Sequence, residues 1–139
     1  MNEDCIFCKI IAKQVPGEIF YEDDNVVAFM DAFPTIEGHS IVIPKKHTES
    51  LRTSQREILQ VAEVLPRLAK AVVKGVGAAG INILCNDGSA AGQVIPHVHF
   101  HLIPRHENDG FRFLPPQRKV GAEELHTLAA EFRSRLTEE

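Results

Sequence analysis

The sequence predicts an α+β fold: an antiparallel five-stranded sheet with one long helix and a C-terminal helix. Three observations carry that expectation. Five short runs rich in β-branched and aromatic residues are separated by turn residues. One long stretch places apolar residues at helical spacing. Strands and helices do not alternate in the regular βαβ manner of a parallel sheet.

Taken in order, "CIFCKIIAK" reads as a short amphipathic helix, closed by Val15, Pro16 and Gly17. "EIFYED" and "NVVAFMDA" read as two strands joined at Asp24 and Asn25, a hairpin signal, and "HSIVIPK" as the third strand. Ser54 is placed to cap a helix whose Ile58, Val61, Leu65, Leu68, Val72 and Val76 share one face. Pro66 inside that pattern predicts a kink or break, and Gly75, Gly77 and Gly80 end it. "INILCND" and "HVHFHLIP" supply strands four and five. "AEELHTLAAEFRSRL" is the last helix, with Leu125, Leu128, Ala129 and Phe132 on one side. The expectation is one domain over 1–139, with its motifs in about 5–110 and the last helix in about 121–136.

Composition narrows the class. A chain of 139 residues, 44% hydrophobic and 24% charged, is ordinary for one globular domain with its own core. A net charge of −4 argues against nucleic acid as the main partner. No apolar run approaches a membrane span, and the acidic start "MNED" lacks the basic region of a secretory signal. Three cysteines, an odd number, suit a reducing cytoplasm better than a disulfide framework.

The chemistry concentrates in "GQVIPHVHFHLIPR", Gly92 to Arg105. On a strand, His97, His99 and His101 would share one face, leaving Val98, Phe100 and Leu102 for the core. Pro96 and Pro104 bracket the run, as suits strand ends. Imidazole is a nitrogen nucleophile that is largely neutral near pH 7, able to attack phosphorus and form a covalent intermediate. The preceding loop, "NDGSAAGQ", has Gly88 and Gly92 to let the backbone approach an anion, with Ser89 and Gln93 as further donors. Together they point to phosphoryl or nucleotidyl transfer. Cys5 and Cys8 form a Cys-x-x-Cys pair, which on spacing alone fits a redox motif, chance or zinc. His47 and His97 offer two imidazoles that would complete a tetrahedral set. Cys85 reads as a small buried hydrophobe, Lys45 and Lys46 as solvated charges, and His106 and His126 as surface residues.

The ordered motifs "CIFCKI", "YEDDNVVAFMD", "GHSIVIPKKH" and "GQVIPHVHFHLIPR" make the chain, from about Cys5 to Gly110, resemble the histidine triad family. It is most similar to the Hint-like branch of nucleoside phosphoramidases. That resemblance implies a meander sheet, usually paired as a homodimer, and a nucleotide hydrolase acting on purine nucleoside 5′-phosphoramidates. His99 would attack the α-phosphorus and become nucleotidylated, the His97 carbonyl would orient its ring, His101 would bond the phosphoryl or bridging atom, and His39 would support the cluster. Asn86, Gly92, Gln93 and the Val94 amide would bind phosphate, and Asp31 the ribose hydroxyls. Ile6, Phe7, Ile10, Phe29 and Met30 would line the base pocket. Zinc-binding members of the family imply a structural Zn2+ on Cys5, Cys8, His47 and His97, closed to substrate. Val94 departs from the serine that Hint proteins often carry there to help the leaving amine depart. "LIPRHENDGF" is similar instead to the Fhit-like hydrolases of diadenosine polyphosphates, one alternative; a nucleotide-binding adaptor dimer is another. The third histidine stands where transferase relatives carry glutamine, so hydrolysis is expected over transfer.

Overall fold

A computed structural model describes residues 2–138 of the chain. They form two compact units, one reaching Asp109 and the other beginning at Gly110.

The first unit is built on a five-stranded sheet in the order β1-β2-β3-β5-β4, every pair antiparallel. Its strands are β1 (Ile19–Glu22), β2 (Val26–Met30), β3 (Ser40–Pro44), β4 (Gly80–Leu84) and β5 (Phe100–Arg105). Helix α1 (Ile6–Ile11) precedes β1, and α2 (Gln55–Val76) carries the chain from β3 to β4 at the far edge. The second unit holds α3 (Ala122–Leu136), with Glu123 and Glu124 in its first turn and Arg133 and Arg135 in its last, complementing the helix dipole. Among the described residues, no helix is long and apolar enough to cross a membrane.

The period-2 alternation of the strands divides the sheet between two cores. Val27, Phe29, Ile41 and Ile43 pack with Phe7, Cys8 and Ile10 of α1. Val26, Ala28, Val42 and Leu102 pack with Val61 and Leu68 of α2. Both faces of β2 and β3 are therefore covered, which explains their unbroken apolar runs. Each fully buried aliphatic side chain contributes roughly 1.5–3 kcal/mol.

Several local expectations are corrected. Strand β5 starts at Phe100, because the His97 amide turns back to Ile95 O (2.9 Å) and the Val98 amide bonds Thr48 O (2.7 Å) rather than a sheet neighbour. His97 and His99 thus lie before the ladder, and only His101 is on it. Helix α2 runs unbroken through Pro66, with Val61 and Leu68 buried on either side of it. Ser54 precedes α2 but makes no side-chain cap; its hydroxyl bonds Ser50 O and Thr48 Oγ1 instead. Gly75 lies inside the helix, which ends at Gly77 (φ +65°).

Gly38, in the β2–β3 connection, lies close against Val76 of α2 and Pro104 of β5. It adopts φ +91°, and a Cβ there would lie 2.9 Å from Val76 Cγ1 and 3.2 Å from Pro104 Cγ. Gly38→Ala should destabilise the protein by about 1–3 kcal/mol through overpacking and backbone strain. Urea unfolding at fixed pH measures it, and an unchanged midpoint would contradict this account of the contact.

Candidate active site

The sheet register brings the imidazoles together. Met30 pairs with Ser40, so one step beyond the ladder Asp31 faces His39, and its N–H donates to His39 O at 3.1 Å. Ile41 pairs with His101, which sets His101 beside His39. The His39 and His101 rings are 5.1 Å apart, and those of His101 and His99 5.0 Å.

Hydrogen bonds to groups that only donate or only accept determine the proton on each ring. His99 Nδ1 lies 2.8 Å from His97 O, so Nδ1 carries the proton and Nε2 keeps its lone pair. The Thr35 N–H donates to His39 Nδ1 at 3.0 Å, which leaves the His39 proton on Nε2. That Nε2–H donates to His101 Nδ1 at 2.9 Å, with Asp31 Oδ2 farther off at 3.4 Å. His101 in turn must carry its proton on Nε2. Two neighbouring rings therefore present complementary atoms: a lone pair on His99 and an N–H on His101.

Burial keeps these rings neutral. It lowers His99 below the ordinary imidazole range and takes His101 down to about 4. His39 is also lowered by burial, against a smaller opposing effect of the Asp31 charge.

His99 and His101 line a cavity of about 530 Å³ together with Asp31, Gly92 and Val94. The expected base-pocket residues Ile6, Phe7, Ile10, Phe29 and Met30 all line it, and the structure adds Ile41 and Ile95. The sequence pattern gave those two no role: Ile41 stands inside a strand run and Ile95 just before the triad. Phe7 packs edge-on against both Phe29 (5.4 Å) and His99 (5.1 Å), holding the segment before β5 to the pocket wall. Val94 and Phe33 stand 85% and 91% exposed on the cavity lining, so its mouth is apolar. Asn86 sits behind Gly92, its Nδ2 3.5 Å from where a Gly92 Cβ would be. Asn86, His39 and Gln93 do not themselves line the cavity. Asp31 Oδ1 accepts the Phe33 N–H at 2.8 Å, leaving Oδ2 as its freer oxygen.

A second cluster lies on the other side of His97. Cys5 caps α1, its Sγ accepting the Cys8 N–H at 3.3 Å, so both thiols project from one helical turn. His97 Nδ1 is 3.4 Å from Cys5 Sγ and 3.6 Å from Cys8 Sγ, and His47 Nδ1 is 3.3 Å from Cys8 Sγ. A zinc ion at ordinary bond lengths spaces tetrahedral sulfur and nitrogen ligands by roughly 3.5 Å. The donor set also fits. His97 Nε2 donates to Pro44 O at 2.8 Å, which frees Nδ1 as a ligand. Burial pushes the Cys5 thiol up, so a thiolate there calls for a cation. Asp31, His39 and His101 also gather three potential ligand atoms. There the Thr35 N–H already occupies His39 Nδ1, and a metal on Nε2 would force a proton against it. That cluster is a hydrogen-bonded relay.

Because His101 and His39 sit below an unfolded imidazole's pKa of about 6.5, the unfolded chain binds more protons between about pH 4 and 6.5. Their contribution to stability is complete above that window and is lost as pH falls through it. Urea midpoints of wild type should drop across this range, and those of His101→Gln should drop less. Equal slopes would contradict the burial account.

The arrangement has close relatives. The HIT domain family matches residues 12–108. An adenosine 5′-monophosphoramidase of Schizosaccharomyces pombe is 38% identical over 133 residues, spanning 95% of this chain and 98% of its own. An adenylylsulfatase of Arabidopsis thaliana is 42% identical over 110 residues, 78% of this chain and 56% of its own. The crystal structure of a Zn-bound histidine triad protein from Mycobacterium smegmatis superposes with a TM-score of 0.74 at 36% identity, over 94% of this chain and 96% of that one. By its matched domain, its fold and its paired imidazoles, this chain belongs to the HIT family.

Proposed function

We propose that the chain is a nucleotide hydrolase that cleaves purine nucleoside 5′-phosphoramidates through a nucleotidyl-histidine intermediate. One observation carries the reading: a lone pair on His99 Nε2 and an N–H on His101 Nε2, side by side in the cavity that also holds Asp31 and the apolar pocket. The base inserts among Ile6, Phe7, Ile10, Phe29 and Met30, and Asp31 accepts from the ribose hydroxyls. His99 Nε2 attacks the α-phosphorus, an N–P bond forms and the bond to the amine breaks. His101 Nε2–H hydrogen-bonds the phosphoryl oxygens as charge develops on them, and the amine leaves with a proton taken from solvent. Water then attacks the phospho-histidine and releases nucleoside monophosphate and free His99. The names of the fission-yeast and Arabidopsis relatives support hydrolysis of adenylyl compounds.

Val94 favours a second reading. An amine needs a proton to leave, whereas a phosphate leaves as an anion, and Val94 has no hydroxyl to assist an amine. Diadenosine polyphosphates would then be the better substrates of the same His99. The test is kcat/KM for adenosine 5′-phosphoramidate beside diadenosine tri- and tetraphosphate. A preference of about a hundredfold, near 3 kcal/mol, for the phosphoramidate is expected, and the reverse preference would move the assignment to the polyphosphates. His99→Ala should lower either activity at least a thousandfold, about 4 kcal/mol. Nucleotide binding without turnover in wild type would favour an adaptor.

We further propose a structural zinc on Cys5, Cys8, His47 and His97, in a homodimer working in a reducing compartment such as the cytoplasm. Four protein ligands leave the ion no open position for substrate. It would tie the start of α1 to the segment that carries His99 into β5. Protein purified without added zinc should hold about one equivalent and lose thermal stability on chelation. Less than about a tenth of an equivalent in a fully folded protein would remove the zinc assignment.

A further inference from the structure

The loop between β4 and β5 reaches the cavity with Gly92, Val94 and Ile95, so it can offer a phosphate only backbone groups there. Its backbone is held in an unusual way. Gly88 (φ +96°) and Gly92 (φ +95°) flank a single 3₁₀ turn, Ser89–Ala91. Inside the turn, Ala91 N–H donates to Gly88 O at 3.1 Å and Gly92 N–H to Ser89 O at 3.0 Å. Two glycines in left-handed geometry give such a turn little rigidity of its own.

Gln93 closes the turn from outside. Its own N–H donates to Gly88 O at 3.1 Å, while its Oε1 accepts the Gly88 N–H at 2.8 Å. Its Nε2 donates to Ile95 O at 3.1 Å and across to Glu49 O at 2.9 Å. Both amide donors and the carbonyl oxygen of the side chain are thus engaged within the protein. Asp87 ties down the other end of the loop, accepting from Leu51 N–H at 3.0 Å, Ser50 Oγ at 3.1 Å and Arg52 Nε at 2.7 Å. The Val94 N–H, in contrast, finds no acceptor among the described residues.

We infer that Gln93 is a positioning residue for the hydrolysis proposed above, acting through the loop backbone and not on the phosphate. Its carboxamide holds Gly92–Ile95 in place against His99 and His101, with the Val94 N–H kept free for a phosphoryl oxygen. The inference rests on the reading of the site as a hydrolase. A donor fixed before the reaction needs no reorganisation as charge develops, and small displacements of such groups are costly.

The test uses the full chain, metal-loaded, with Gln93→Met, which keeps the length of the side chain and removes its hydrogen bonds. Amide exchange is followed across residues 86–95 in the ligand-free protein, and kcat and KM are measured separately with adenosine 5′-phosphoramidate. Exchange at Gly88 should quicken by about tenfold or more, with α2 unaffected. The kcat should fall about 10–100-fold and KM change by less than about threefold. A direct phosphate ligand behaves otherwise: ligand-free exchange stays as in wild type, and affinity for AMP falls relative to adenosine. That result overturns the inference, as does faster exchange with an unchanged kcat. If Gln93→Met does not fold, Gln93→Glu keeps the acceptor for Gly88 N–H and sets a carboxylate against the Glu49 and Ile95 carbonyls, and it is read the same way. Wild type that turns over no nucleotide defeats the hydrolase reading and the positioning role with it. Active wild type with an unaltered variant defeats the positioning role alone.

Discussion

His97 is held in three directions at once, and the site is arranged around that. Its Nε2 donates to Pro44 O, its Nδ1 faces the two thiols of α1, and its carbonyl accepts the proton of His99 Nδ1. The residue is fully buried, so each of these polar groups would be expensive to leave unpaired. The first bond leaves the Nδ1 lone pair facing the thiols; the third leaves the lone pair of His99 on Nε2. One residue therefore takes part in both clusters and sets the tautomer of His99, and a shift of its backbone would disturb them together.

The neutrality of the rings follows from where they stand. A protonated imidazole has no lone pair, so a nucleophilic histidine must resist protonation at working pH. Here the resistance comes first from burial at the edge of the α1-side core, where Phe7 packs on both His97 and His99. The nearby carboxylate, Asp31, pulls the other way, but one of its oxygens is engaged by the Phe33 N–H. The relay from Thr35 through His39 to His101 consists of neutral groups, so it orients a proton without placing charge beside His99.

Much of this was legible in the sequence. Apolar runs rich in β-branched residues marked β2 and β3, helical spacing marked α2, and the side chains of Cys5, Cys8, His47 and His97 do converge, with ligand atoms within 4.8 Å of one another. What the sequence concealed was the part performed by main-chain atoms. Nothing in the letters of Thr35, Pro44 or Thr48 announces that their N–H or C=O groups fix a tautomer or pull His97 and His99 off the ladder. Ser54 misled for a related reason: its hydroxyl suits a helix cap, but a nearer backbone carbonyl took it. The Gln93 carboxamide likewise bonds the loop backbone, which its letter does not announce. Pro66 predicted a break by its missing donor, yet contacts to the sheet on both sides of it keep α2 continuous.

The connection from β3 to α2 gathers these hidden contributions. Pro44 O holds His97, His47 faces Cys8, Thr48 O holds Val98, and Glu49 O, Ser50, Leu51 N–H and Arg52 hold the loop through Gln93 and Asp87. The Cys/His cluster, the segment from His97 to His99 and the loop from Asp87 to Gln93 thus share one stretch of backbone, although none of its residues lines the cavity. Since carbonyls and amides carry most of these contacts, the stretch can vary in side chain while keeping its path. Its constraints fall on conformation and on the few side chains that bond back, His47, Ser50 and Arg52. Imidazoles that line the cavity are in this way positioned largely by a segment that does not reach it.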